Sequence, residues 1–162
     1  MIAPNEQAFG KTDWHARLGW LTYACAQADR AGAAELLRAA WRLLGDPPAD
    51  WRATIDLTID ELGLEALLHA GGEDAAALAL LQGWAGFMVS HGPGGRFMAT
   101  VLIDGRAEET TADGASAGLA LLGALAAALS GDDIADGQLP RDQAIGSRAK
   151  LAEDRDRSAR LN

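Results

Sequence analysis

The sequence contains one cysteine, Cys25, and so cannot close an internal disulfide. That excludes a small secreted scaffold stapled by bridges and makes a reducing, cytoplasmic compartment the expectation. The first residues, MIAPNEQAFGK, lack a charged start followed by an apolar run, and no signal peptide is read from them. Long hydrophobic runs are missing too. The longest, ASAGLALLGALAAAL at 115–129, falls short of the roughly 20 residues that cross a bilayer, so it reads as a buried helix and no membrane partner is expected. Histidine is scarce: His15, His69 and His91 show none of the close spacings of metal sites, and a lone cysteine offers no CxxC, so neither metal nor cofactor is expected. The glycine-rich HGPGGR at 91–96 lacks the GK[ST] ending of a nucleotide-binding loop. It reads first as a flexible connection, and second as a backbone nest for an anion beside Arg96. No repeat of fixed period is present.

What is present is enough apolar material for a conventional core, 49% of 162 residues. One domain over 1–146 is expected, followed by a charged helix or tail at 147–162. The net charge of −9 is unevenly spread. Residues 1–49 balance five acids with five bases, whereas 50–95 set seven acids against Arg52 alone. A surface of that sign repels phosphate backbones and favours solubility or a basic partner.

The fold class read from periodicity is α+β. Trp14, Leu18, Leu21, Cys25 and Ala28 recur at helical spacing, and Thr12 or Asp13 could cap that helix. Gly32 separates it from AAELLRAAWRLL, which Gly45 and Pro47-Pro48 stop. The two helices are expected to form an antiparallel hairpin. Four of five tryptophans, Trp14, Trp20, Trp41 and Trp51, lie in this first third and point to an aromatic share of the core. ATIDLTIDELGLEALLHAG at 53–71 fits a strand at its start and a helix throughout; one long helix is the preferred reading. A further helix is expected at about 73–84, with Glu73 and Asp74 at its positive end.

The period then changes. Residues 97–112 read as a β-hairpin about Asp104-Gly105, a pair that tolerates the positive φ of a two-residue turn. Apolar side chains on both faces of the first strand suggest layers on both sides, and the polar second strand suits a sheet edge. Two strands alone are marginal, so a third is expected, with GFMVSH at 86–91 ahead of ATIDLTI at 53–59. Asp113 or Ser116 can start the apolar helix at 115–130, whose Leu119, Leu122, Leu125 and Leu129 serve a core or, as the lesser reading, a homodimer interface.

The motif TVLIDGR followed by AGLALLGAL resembles the small αβ sandwich domain of uncharacterised phage proteins. That resemblance, over about 92–130, implies a phage or prophage source and no known activity. The same strand, turn, strand, helix order, with Gly92-Pro93 before it, also resembles the double-stranded-RNA-binding domain. In that family basic residues open the last helix and hold phosphates. Here TADGASAGLALL has no lysine or arginine, and Asp113 stands where a cation is wanted, so no RNA-binding residues are carried over.

These readings lead to a non-enzymatic protein-interaction, structural or inhibitory protein whose partner is another protein, in one version a basic or nucleic-acid-binding one. The candidate contact residues are Asp56, Asp60, Glu61 and Glu65, spaced four apart in two pairs, and Arg155, Arg157 and Arg160 in the tail. The alternatives are a degenerate dsRNA-type module and an enzyme assembled from distant residues. For an enzyme the visible candidates are Cys25, His15 and the acids at 56–65. Cys25 on an apolar stripe reads as core, His15 as part of an exposed helix face, and His69 as complementing a helix dipole.

Overall fold

A computed structural model describes residues 11–131, all within the first of the chain's two units, Met1–Asp132. The boundary expected at 146, the charged tail and its arginines lie outside the described residues. Within them the architecture is α+β, with five α-helices and a three-stranded antiparallel sheet.

Helix α1 (Lys11–Gln27) buries Trp14, Leu18, Leu21 and Cys25, the stripe its spacing predicts. Asp29 accepts the Gly32 N–H and caps a turn of 3-10 helix, Arg30–Gly32, that leads into α2 (Ala33–Gly45). In α2 the buried face is Ala33, Leu36, Leu37, Ala40 and Leu44. The Trp14 indole donates to the Leu43 carbonyl at 2.9 Å, joining the start of α1 to the end of α2 as an antiparallel hairpin requires. Trp51 is buried against Trp14, their ring centroids 6.2 Å apart, and the Arg106 guanidinium lies 4.4 Å from the Trp51 ring. Trp20 is instead exposed, so the aromatic core is smaller than the sequence suggests.

The long helix expected through 53–69 is not formed. Residues 51–54 make a turn in which Ile55 N–H reaches the Trp51 carbonyl, residues 55–60 have no regular structure, and α3 runs only over Glu61–His69. Thr54, Ile55, Thr58 and Ile59 are β-branched and weak helix formers. Asp60 then takes the Gly63 N–H at 2.8 Å and sets the helix start. Ile55, Leu57 and Ile59 do turn inward, as alternation suggests, but with no strand beside them. Helix α4 (Glu73–Leu81) stops before the expected residue 84 because Gly83, at φ 96°, turns the chain toward the sheet.

Strands β1 (Ala85–His91), β2 (Phe97–Ile103) and β3 (Glu109–Gly114) follow one another as a meander in the order β1-β2-β3. The third strand is therefore the segment preferred from sequence. Val101 faces Phe87 on one side and Thr110 on the other. The turn after β2 differs from expectation: Arg106 N–H bonds the Ile103 carbonyl, and only Gly105, not Asp104, has positive φ. A glycine at the third position is the requirement of a type II turn, and the loop spans 104–108 before β3 begins. Among the described residues the sheet is also covered on one face only. Ala99, Val101 and Ile103 are buried, whereas Met98 and Leu102 on the opposite face are exposed, which corrects the two-layer expectation.

The covering layer is α5 (Ala117–Ser130), capped by Ser116, whose hydroxyl accepts the Leu119 N–H. Every residue from Gly118 to Ala126 is buried, as is Leu129, so the core reading of Leu119, Leu122, Leu125 and Leu129 holds. A Cβ placed on Gly123 would lie 3.3 Å from the Cys25 Cβ and 3.4 Å from the Ala112 Cβ. Helix α5 is thus held between α1 and β3, with little side-chain volume separating the backbones. Each fully buried leucine contributes on the order of 2 kcal/mol of transfer free energy, which makes α5 the largest single source of core stabilisation.

Candidate interaction site

The four acids singled out in the sequence do not form one surface. Asp56 is exposed in the irregular stretch, so its spacing of four from Asp60 places nothing on a common helix face. Asp60 is the α3 cap. Glu61 is exposed in the first turn of α3. Glu65 is gripped by Arg38, whose Nε and Nη2 donate to its two oxygens at 2.6 and 2.8 Å while Nη1 reaches Glu35. The hydrogen bonds from Arg38 hold the Glu65 carboxyl below its usual range. The partner that the Glu61-Glu65 spacing calls for is in this respect internal. Another acid of the same segment, Asp74, accepts the Gly118 N–H at 2.6 Å and satisfies an orphan donor in the first turn of α5. Arg155, Arg157 and Arg160 lie outside the described residues.

The residues considered for chemistry occupy structural positions. Cys25 is fully buried in the α1–α5 contact, and desolvation pushes its thiol up to about 12. At about pH 8 a thiol so placed is thiolate in only roughly one molecule in ten thousand, too little for a nucleophile. Ellman's reagent is accordingly expected to leave the folded protein unlabelled and to titrate the thiol once denaturant is added; rapid labelling of the folded chain would contradict this placement. His15 is buried, contrary to the exposed face expected of it, because its ring packs edge-on against Trp14 at 5.2 Å. His69 lies exposed in the last turn of α3. Among the described residues no three His, Cys, Asp or Glu side chains gather as a metal-ligand group. No helix among them is long and apolar enough to cross a membrane.

The HGPGGR turn is also committed. Gly94 and Gly95 take positive φ, Gly92 N–H bonds the Arg96 carbonyl, and Arg96 pairs with Asp113 at 2.6 Å while donating to the Ala26 carbonyl. Arg96 thus ties the loop to β3 and to the end of α1, and the cation available to an anion nest is already neutralised.

Two surfaces missed by the sequence reading remain. A cleft of about 460 Å³ between α1 and α2 is walled by Trp14, Trp20, Leu21 and Leu43, with Arg17, Arg42 and Asp46 at its rim. Trp20 falls off the 14-18-21-25 stripe, which was the available sign that it faces outward. The second surface is the free edge of β1. Asp104 N–H bonds the Trp84 carbonyl and Gly92 N–H bonds the Arg96 carbonyl, each a directly opposed pair in the β1–β2 register. Hydrogen-bonded and non-bonded pairs alternate along an antiparallel ladder. Gly86, Met88 and Ser90 therefore direct their backbone groups to β2, and Ala85, Phe87, Val89 and His91 direct theirs away from the sheet. No strand lies beyond them among the described residues.

The side chains at this edge are apolar and uncovered: Phe87 is 49% exposed, Met88 67% and Val89 36%. Phe87 and Val89 share the face that α5 covers over β2 and β3, but the helix touches β1 much less than it does those strands, and both side chains stay exposed. Met88 belongs to the open face with Met98 and Leu102. The sequence signal was the absence of any charge or proline in AGFMVSH, in a strand that a meander leaves at the edge. Comparison with known proteins finds no family model that matches the chain, and no significant match to a curated protein or to a solved structure.

Proposed function

We propose that the chain is a protein-binding module that works without catalysis, taking a strand of its partner along the free edge of β1. The observation that carries this reading is the edge itself. Outward backbone groups at Phe87 and Val89 stand in a strand with no charge or proline and, among the described residues, no neighbouring strand on that side, the devices by which edges are ordinarily kept from pairing being missing there. An added strand would supply those bonds, while Phe87 and Val89 on one face and Met88 on the other would give side-chain selectivity. The buried, neutral Cys25 and the structural roles of Asp60, Glu65 and Asp74 speak against an enzyme built from them. A dsRNA-type role lacks its cations, since the first turns of α5 are buried and Arg96 is paired with Asp113.

The uneven charge supports a second mode, in which exposed Asp56 and Glu61 meet a basic partner. The two modes differ in their response to salt. With a partner isolated by pull-down from the native host and then purified, edge pairing predicts affinity that changes little with added salt and falls at least tenfold with Val89→Pro. The Val89 N–H points away from β2, so that substitution removes no bond of the sheet. Affinity that drops steeply with salt and ignores Val89→Pro would replace this reading with the acidic one.

A further inference from the structure

We infer that the strand received at β1 is β1 of a second copy of this chain, paired antiparallel about a twofold axis at Met88, an assignment that rests on the edge-strand reading above. Three features of β1 select this occupant. The outward residues Ala85, Phe87, Val89 and His91 are symmetric about Met88, the middle of the strand. A twofold axis there sets Phe87 opposite Val89 of the partner copy and Ala85 opposite His91, so every outward donor and acceptor of the strand finds its counterpart without an offset.

The side chains are self-complementary in the same register. An aromatic ring meets a β-branched side chain on the face that α5 leaves open at this edge, a favourable cross-strand pairing. On the other face two Met88 side chains meet at the axis beside exposed Met98 and Leu102.

Charge permits the contact despite the net −9. Strand β1 holds no Asp, Glu, Lys or Arg, its one titratable side chain being His91 at its end, and the acids of the open face, Glu109 and Asp113, lie on β3 at the far side of the sheet. Five strand spacings would separate β3 from its symmetry mate, roughly 24 Å. That exceeds the screening length of about 8 Å at physiological salt, so the copies approach each other's least repulsive margin.

The test combines mass with register. Sedimentation equilibrium of the full chain at micromolar concentration should return a dimer, and Val89→Pro and Phe87→Lys should each return a monomer with an unchanged circular dichroism spectrum. Two cysteine variants read the register. Met88→Cys places two thiols across the axis in a non-hydrogen-bonded pair, with Cα atoms about 4.5 Å apart, and should give a reducible covalent dimer under copper-phenanthroline. Ser90→Cys places them roughly 13 Å apart, beyond disulfide reach, and should not.

A monomeric wild type, or cross-linking at Ser90→Cys as efficient as at Met88→Cys, would overturn the assignment. A monomeric wild type whose capture of a different partner is still abolished by Val89→Pro would overturn the second copy alone and leave the edge-strand reading standing. A monomer whose capture is indifferent to Val89→Pro would overturn both.

Discussion

Replacing Gly114 by alanine is expected to destabilise the protein by about 3 kcal/mol, the upper end for overpacking a close-packed site, and to lower Tm by roughly 10 °C. A Cβ on Gly114 would stand 2.6 Å from the Ala120 nitrogen and 3.0 Å from both the Leu119 carbonyl carbon and its Cβ. Two of these three atoms are backbone, in the first turn of α5, so no rotamer change relieves the overlap. Either β3 must withdraw from β2, giving up the Phe97-Gly114 pairing, or α5 must lift from Ala99 and Val101. The φ of Gly114 is not positive, so the penalty is steric and not conformational. Gly19 provides the matched control. It sits within α1, where an added methyl group would meet nothing within 4 Å, and alanine there should stabilise by about 0.5–1 kcal/mol through helix propensity alone. Chemical denaturation of both variants checks the sign: equal effects at the two glycines would refute the close approach of β3 to α5.

The second large effect is expected at Trp51, where alanine should lower stability by about 4 kcal/mol. Trp51 is 1% exposed although it lies in a turn, and it joins parts of the chain that share no regular element. Its ring meets Trp14 of α1 on one side and carries Arg106, from the loop after β2, on another. Phenylalanine keeps part of the ring contact, including a face for the guanidinium, and should lose roughly 2 kcal/mol or less. Urea denaturation monitored by circular dichroism distinguishes these outcomes. If alanine were tolerated within 1 kcal/mol of wild type, a rough threshold for a site able to collapse, the turn at 51–54 would not be an anchor of the fold.

The parts of this architecture legible in the sequence are those in which one periodicity dominates. The 14-18-21-25 stripe, the GFMVSH strand and the all-apolar α5 are of this kind, and each falls where its pattern puts it. The stretch after Trp51 was not legible, because Ile55, Leu57 and Ile59 satisfy an alternating pattern without a neighbouring strand. Their inward orientation is fixed by contacts from elsewhere, such as the Trp41 indole donating to the Ile59 carbonyl at 3.0 Å. The candidate site was hidden for a related reason. Spacing alone could not reveal that Glu65 is held by Arg38, 27 positions away, or that Asp74 serves the start of α5. Nor could it show that α5 would cover β2 and β3 and leave Phe87 and Val89 exposed. Composition did contain part of that information: of the two edge strands of the sheet, β1 is the one without an Asp, Glu, Lys or Arg.

The central position of α5 also sets an order of events during synthesis. It is the last described element in the chain, yet α1, α4 and the sheet all pack against it. Until residue 130 has left the ribosome, Leu18, Cys25, Ala99 and Val101 have no helix to bury them. At roughly 5–20 residues per second that interval amounts to several seconds of exposed apolar surface. Until α5 emerges, the apolar faces of α1, α4 and the sheet are therefore without the described element they all pack against.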